Sequence, residues 1–399
     1  MLRVDAKDNK NLIIFYLTDN SGCSHVRCRF FADMINATDC GLKAVILPIY
    51  TMDPAILAAT RAIIWQKPST SKHLSAIQRY KGFQAKYGFK MIYEIDDLFF
   101  KSPFKNQGLP EYNMSFFRRK ASNVDQEIEE NLWQIFPLFD TIMCSTDYLK
   151  KVLMHKYGLD NVVTVKNTVP RFLWSCDKKK PIDKDIEKPI VLYSGASGHY
   201  MNPIPARPPS PKEPDGFPGT TGDFGDWNNS FRDWVIKNVK EDKIDFKIMG
   251  DFPYFFKEIS ARIQFIPWTN SYNYPRRCWS TKADFQIAPL IDNEFNRCKS
   301  ALRFYESSIA GMGFLGSIFD NSTDSPYEEI YPDCKIKNSA TVEQLDEVFW
   351  KMCKKDEYNA MIEWQYEHLN KSGSILESSD AMNRIIAVTD RSAETMESI

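Results

Sequence analysis

The sequence predicts an α/β protein built from two Rossmann-like domains, each a parallel sheet covered by helices. Three observations predict it. A chain of 399 residues is longer than one hydrophobic core usually holds. Its first half alternates strand-sized apolar runs with helical stretches, as a parallel sheet with crossover helices requires. A charged, proline-punctuated segment at 181–188 then interrupts the alternation and reads as a linker.

In chain order, Leu12–Leu17 is the first strand, followed by a helix near Val26–Ala37 and a strand at Lys43–Ile49. Arg61–Gln66, a helix near Leu74–Tyr87 and the strand Lys90–Ile95 continue the pattern. These place a first domain over 1–180. A second domain covers 189–356, opening on the strand that starts at Ile190 and ending in helix Thr341–Lys354. Residues 202–225 carry seven Pro and four Gly, a composition that supports no packed element, and read as a loop insertion. Helical patterns at Glu357–Asn370 and Ser379–Val388 fill the end, 357–399.

Composition narrows the class. Hydrophobic residues at 43% and charged residues at 26% are ordinary for a globular protein. No apolar run reaches the roughly 18 residues that span a bilayer, so a cytoplasmic protein without a membrane span is expected. Nine Cys residues are scattered with no Cys-x-x-Cys, which fits a reducing compartment. His25 lies near Cys23 and Cys28, but no second cluster completes a four-ligand set, so no structural metal is expected. Charge is uneven. Residues 1–188 carry 28 Lys and Arg against 21 Asp and Glu, while the remainder carries 23 against 31. A basic first half favours an acidic partner, although an excess of seven over 188 residues is also ordinary.

The densest stretch is Ala283–Ser317. Phe285, Ile287, Ala288 and Leu290 form a strand that Asp292-Asn293-Glu294 ends. Ser300 is then a candidate N-cap for a helix over Ala301–Ala310. An anion at that helix start would meet backbone N–H groups, the positive end of the helix dipole and the Lys299 ammonium. Glu306 follows Lys299 by two turns, roughly 10 Å along the axis, about the reach from a diphosphate to a ribose. Its carboxylate can accept from two hydroxyls at once. Any amphipathic helix after a strand also carries a Lys and a Glu on its polar face, so this pattern alone leaves both readings open.

Several further pieces fall in a recognisable order: Lys90-Met91-Ile92-Tyr93-Glu94-Ile95-Asp96-Asp97, Asp140 to Thr146, Val162 to Val169, Ile190 to Gly195, Phe246 to Asp251, and Ile263 to Trp268. The ordered set resembles GT-B glycosyltransferases, especially the family 4-like enzymes, and covers most of residues 12–320. That resemblance includes phage enzymes that glycosylate DNA. It implies a GT-B fold, with the two domains facing across a cleft and the last helices returning toward the first. It also implies a nucleotide-sugar donor, expected to be a UDP-sugar, with a divalent metal left open. Donor contacts then fall to Gly22, Gly195, Ser197, Gly198, His199, Trp268, Asn296, Arg297, Lys299, Ser300 and Glu306. Many relatives carry an Arg just after the first donor-domain Gly. Here Gly195-Ala196 stands instead, and Arg297 with Lys299 are the candidates to supply the missing charge.

For the acceptor side, Asp96 and Asp97 end a strand, where open α/β sheets place ligands, and either carboxylate could take a proton from an acceptor hydroxyl. A retaining transfer would use them for positioning instead. His25, after the first strand, is a second candidate base, although a lone His is more often a packing residue. Aromatic residues interleave with Arg118, Arg119, Arg276 and Arg277, the mixture that binds nucleic acid and that solvated faces also show. Hydroxymethylcytosine in phage DNA is therefore the acceptor expected first, in the host cytoplasm. A polysaccharide or lipid-linked glycan, or a non-catalytic sugar-nucleotide or nucleic-acid binding role, is the alternative.

Overall fold

The computed structural model describes residues 10–18, 22–47, 50–100, 121–174, 179–195, 199–200, 222–224, 230–371 and 379–390. The chain divides into two compact units. The first comprises Met1–Pro170, Cys298–Ser300 and Glu377–Ile399, and the second Arg171–Arg297 with Ala301–Leu376.

Strands of the first unit are β1 (Leu12–Tyr16), β2 (Lys43–Leu47), β3 (Thr60–Gln66), β4 (Lys90–Ile95), β5 (Thr141–Cys144) and β6 (Val162–Thr164). They form one sheet of order β2-β1-β3-β4-β5-β6, every ladder parallel. Helices α1 (Phe30–Ala37), α2 (Pro54–Ala59), α3 (Ser71–Tyr87), α4 (Ala121–Ile135) and α5 (Asp147–Tyr157) connect them. Local chemistry sets their ends. Thr70 and His73 form a reciprocal capping box at the start of α3, and Gly88 closes it in the left-handed conformation.

Strands of the second unit are β7 (Ile190–Gly195), β8 (Asp245–Gly250), β9 (Gln264–Ile266), β10 (Phe285–Ala288), β11 (Gly313–Ile318) and β12 (Lys335–Lys337). Its order is β12-β11-β10-β7-β8-β9, again all parallel. Its helices are α6 (Ser230–Lys240), α7 (Tyr274–Ser280), α8 (Glu294–Arg297), α9 (Leu302–Ile309), α10 (Val342–Met352) and α11 (Lys355–Lys371). In both sheets the strand order reverses, at β1/β3 and at β7/β10. Open α/β sheets bind ligands at the carboxyl ends of strands beside such a reversal.

Three expectations about organisation change. The chain passes between units at Pro170, so 181–188 is part of the second unit rather than a free connection. It is tied down there. Ile182 N donates to Asn359 Oδ1, Ile186 N to Cys353 O, and Asp185 accepts from Lys355 N at the start of α11. The last helices also separate, α11 belonging to the second unit. The final helix α12 (Ser379–Thr389) completes the first unit's core, where Ala381, Met382, Ile385 and Val388 join Phe31, Ile35 and Ala44. Finally, the Pro/Gly insertion ends in packed structure. Residues 202–221 and 225 lie outside the described residues, but Phe224 is fully buried against Tyr193, Phe255 and Phe256.

Candidate functional site

In the second unit, polar side chains gather beyond the ends of β7 and β10, the reversal point of its sheet. Helix α9 contributes Arg303 and Glu306, three residues apart and therefore on one face. Tyr274, on α7, donates its hydroxyl to Glu306 Oε2 at 3.2 Å and lies 3.1 Å from Ser194 Oγ at the end of β7. The Arg303 guanidinium sits 6.0 Å over the Tyr193 ring. Its Nη2 lies 3.4 Å from His199 Nε2, whereas its Nη1 is buried with no hydrogen-bond partner among the described residues.

His199 is itself held. Its Nδ1 lies 2.7 Å from Asp223 Oδ2. The other oxygen, Asp223 Oδ1, accepts from Asn296 Nδ2 at 2.7 Å and from the Ile291 amide at 3.2 Å. Gly222 makes the approach of Asp223 feasible: it has φ +52°, and a Cβ there would collide with the His199 carbonyl.

Burial dominates the electrostatics. It pushes the Glu306 carboxyl up to about 7, and Arg303 with the Tyr274 hydroxyl holds it back only in part. Burial also opposes the charge of Arg303, but the neighbouring Tyr193, Tyr327, Tyr274 and Glu306 outweigh it and raise the guanidinium's pKa. The result is a fixed cation with one donor nitrogen uncommitted, beside a carboxyl poised near neutrality. Such a pair suits an anion and adjacent hydroxyls.

Other residues predicted for the donor fall as follows. Asn296 fixes Asp223, as described. Trp268 is 46% exposed and lies against Gly250, where a Cβ would strike its indole. Arg297 is bidentate to Asp292, at 2.7 and 2.9 Å, so its charge is matched within the loop and it does not replace the missing family Arg. Ser300 does not cap the following helix. Helix α9 begins at Leu302 with Ala301 in the cap position and no side-chain cap bond, because the Ser300 hydroxyl accepts from Asn167 Nδ2 at 2.8 Å. Lys299 belongs with Ser300 to the first unit. Ser197 and Gly198 lie outside the described residues. Gly195 ends β7, its carbonyl accepting from Asp251 N.

In the first unit, Asp96 and Asp97 follow β4 near the reversal point. Asn167 Nδ2 donates to Asp96 Oδ1 at 3.1 Å, and Ser145 Oγ donates to the Asp96 carbonyl at 2.5 Å. The crowding of Glu94 with these acids is relieved by fully buried Arg27. Its Nε pairs with Glu94 Oε1 at 2.6 Å, and its Nη1 donates to Val165 O and Asn167 Oδ1. Burial pushes the nearby Cys23 thiol well up, and Asp96 and Asp97 add to the shift. His25 is buried in a π-helical turn, His25–Arg29. Burial and Arg29 lower its pKa while Asp33 opposes them, which keeps it a neutral packing residue. Gly22 is exposed with open space where a Cβ would stand, so nothing in the described residues requires a glycine. Arg276 and Arg277 are exposed on α7, and Arg118 and Arg119 lie outside the described residues.

Sequence reading missed Arg303, Asp223 and Tyr274. Arg303 had one available signal, its position a single turn before Glu306. Asp223 and Tyr274 had none, since 83 and 32 residues of chain separate them from Glu306.

No protein-family model matches the sequence. No curated protein matches it either. Solved structures do. HepE of Anabaena, in complex with UDP and glucose, is similar over 94% of this chain and 98% of its own, at 9% identity and a TM-score of 0.53. TarM of S. aureus is similar over 84% of this chain at 10% identity and a TM-score of 0.47, and the chain spans about half of TarM, 56% of its length. The DNA modifying enzyme β-glucosyltransferase is similar over 95% of this chain and 99% of its own, at 13% identity and a TM-score of 0.48. Among the described residues no helix is long and apolar enough to cross a membrane.

The likeness to HepE shows the fold: two parallel six-stranded α/β sheets of the GT-B glycosyltransferase kind.

Proposed function

We propose that this protein of GT-B fold is a glycosyltransferase that moves a sugar from a nucleoside diphosphate donor, a UDP-sugar, to a hydroxyl acceptor. The observation that carries the reading is Arg303, with a buried and uncommitted Nη1, one helical turn from Glu306 at the switch point of the second sheet. A diphosphate supplies the anion that Nη1 lacks, and a ribose supplies the two hydroxyls that a Glu306 carboxylate accepts from. HepE, which shares the fold, binds UDP and glucose, and this supports the choice of donor.

The reaction follows from charge. The acceptor oxygen bonds to the anomeric carbon, the bond from that carbon to the diphosphate oxygen breaks, and the leaving diphosphate gains negative charge. Arg303 stabilises that charge, and burial makes its contribution larger than in water. The acceptor proton needs a destination. Asp96, its carboxylate oriented by Asn167, is the group we assign to it, with Asp97 adjacent. Tight positioning supplies the rest of the barrier reduction.

For the acceptor we propose 5-hydroxymethylcytosine in DNA, on the excess of basic residues over 1–188. The test is incubation with a panel of UDP- and GDP-sugars and hydroxymethylcytosine-containing DNA, then nucleoside mass spectrometry. A sugar mass increment establishes donor and acceptor together. Donor hydrolysis without an increment keeps the transferase and moves the acceptor to a glycan. Neither hydrolysis nor nucleotide binding removes the reading.

A further inference from the structure

We propose that Asp223 is a positioning residue of the donor site: it fixes the tautomer of His199, and His199 in turn aims the Arg303 guanidinium at the donor diphosphate. This inference rests on the donor-site reading above and adds a residue from the end of the Pro/Gly insertion to it.

The chain of contacts is short and every polarity in it is determined. Asp223 Oδ1 receives two donors, the Asn296 side-chain amide and the Ile291 backbone amide. Its Oδ2 faces His199 Nδ1 at 2.7 Å. A carboxylate only accepts, so Nδ1 carries the proton. In the neutral imidazole the lone pair then sits on Nε2, and Nε2 faces Arg303 Nη2 at 3.4 Å. A guanidinium only donates, so this tautomer is the one Arg303 can meet. With Nη2 anchored, rotation of the guanidinium is restrained and Nη1 is left uncommitted for a ligand oxygen. Gly222 is needed for the same reason, because a Cβ there would push the turn away from the His199 carbonyl. The insertion thus has a defined task at its ordered end: it delivers one carboxylate to the strand-end cluster.

Asp223→Asn is the discriminating variant. The position facing Ile291 N and Asn296 Nδ2 must remain an oxygen, so the new amide nitrogen faces His199 Nδ1. It would donate there, force the proton onto Nε2 and set donor against donor at Arg303, the tautomer error known from catalytic Asp–His pairs.

The experiment is a calorimetric titration of UDP into the full chain, as wild type, Asp223→Asn and Arg303→Ala, with thermal melts of each. We expect the Asp223→Asn protein to melt like wild type and to bind UDP roughly tenfold or more weakly, the loss of one charge-assisted hydrogen bond. Asp223→Asn binding UDP as wild type does, while Arg303→Ala does not, overturns the positioning role and leaves the donor site standing. Wild type failing to bind UDP overturns the donor site, and this role with it. If Asp223→Asn does not fold, the imidazole ¹⁵N spectrum of wild type decides, with His199 assigned by its loss in His199→Gln. A proton on Nδ1 supports the role, and a proton on Nε2 overturns it.

Discussion

At the residue scale, Glu306 links stability and binding with opposite signs. Burial raises its folded pKa from 4.5 to about 7. The folded state therefore holds a proton that the unfolded state has released, and the associated stability is full below about 4.5 and is lost as pH rises through about 7. Glu306→Gln does not ionise, so its melting temperature should gain on wild type between about pH 5 and pH 8. Nucleotide recognition runs the other way, because only the carboxylate accepts from both ribose hydroxyls. The preference for UDP over 2′-deoxy-UDP should grow as pH rises through about 7, and a preference independent of pH would detach Glu306 from the ribose. Arg27 makes a second residue-level case. It is fully buried on Glu94, and Arg27→Ala would strand that carboxylate, at a cost of about 3–5 kcal/mol in chemical denaturation. The sequence made Glu94, Asp96 and Asp97 visible as a strained acidic cluster. It did not reveal the relieving cation, because a pairing 67 residues apart leaves no local pattern.

Among elements, strands were the most legible, since each is an apolar run whose burial in a parallel sheet leaves little choice of register. Ends were less so. Ser300 has the right chemistry and the right place to cap α9, yet Asn167 competes for its hydroxyl and the helix starts uncapped. Tertiary hydrogen bonding overrode local propensity there. The insertion misled for a related reason. Seven prolines say nothing about Gly222–Phe224, which the unit's core captures through the Phe224 ring. The last helix, α12, shows how distant sequence completes a core. Ile385 is fully buried with residues of α1 and β1. Ile385→Ala should cost about 2–5 kcal/mol. Hydrogen exchange should show the loss first in β1, β2 and α1, and uniform loss in both units would argue against that packing.

On the scale of the molecule, two sheets built alike carry unlike clusters at their reversal points, acids in the first unit and a cation with a poised carboxyl in the second. Ligand linkage makes this separable. UDP at about a hundred times its dissociation constant should add about 2.7 kcal/mol of protection, centred on β7, β10 and α9. Protection confined to the first unit would reverse the assignment of donor and acceptor. The fold class was readable because alternation and length constrain the whole chain. The donor cation was not, because Arg303 acquires its role only when α9, β7 and the turn at Asp223 meet.

The most direct measurement is a crystal structure with UDP bound. The account predicts diphosphate oxygens within hydrogen-bond distance of Arg303 Nη1 and both ribose hydroxyls on Glu306. A nucleotide bound elsewhere, with Arg303 Nη1 still unpaired, would contradict it.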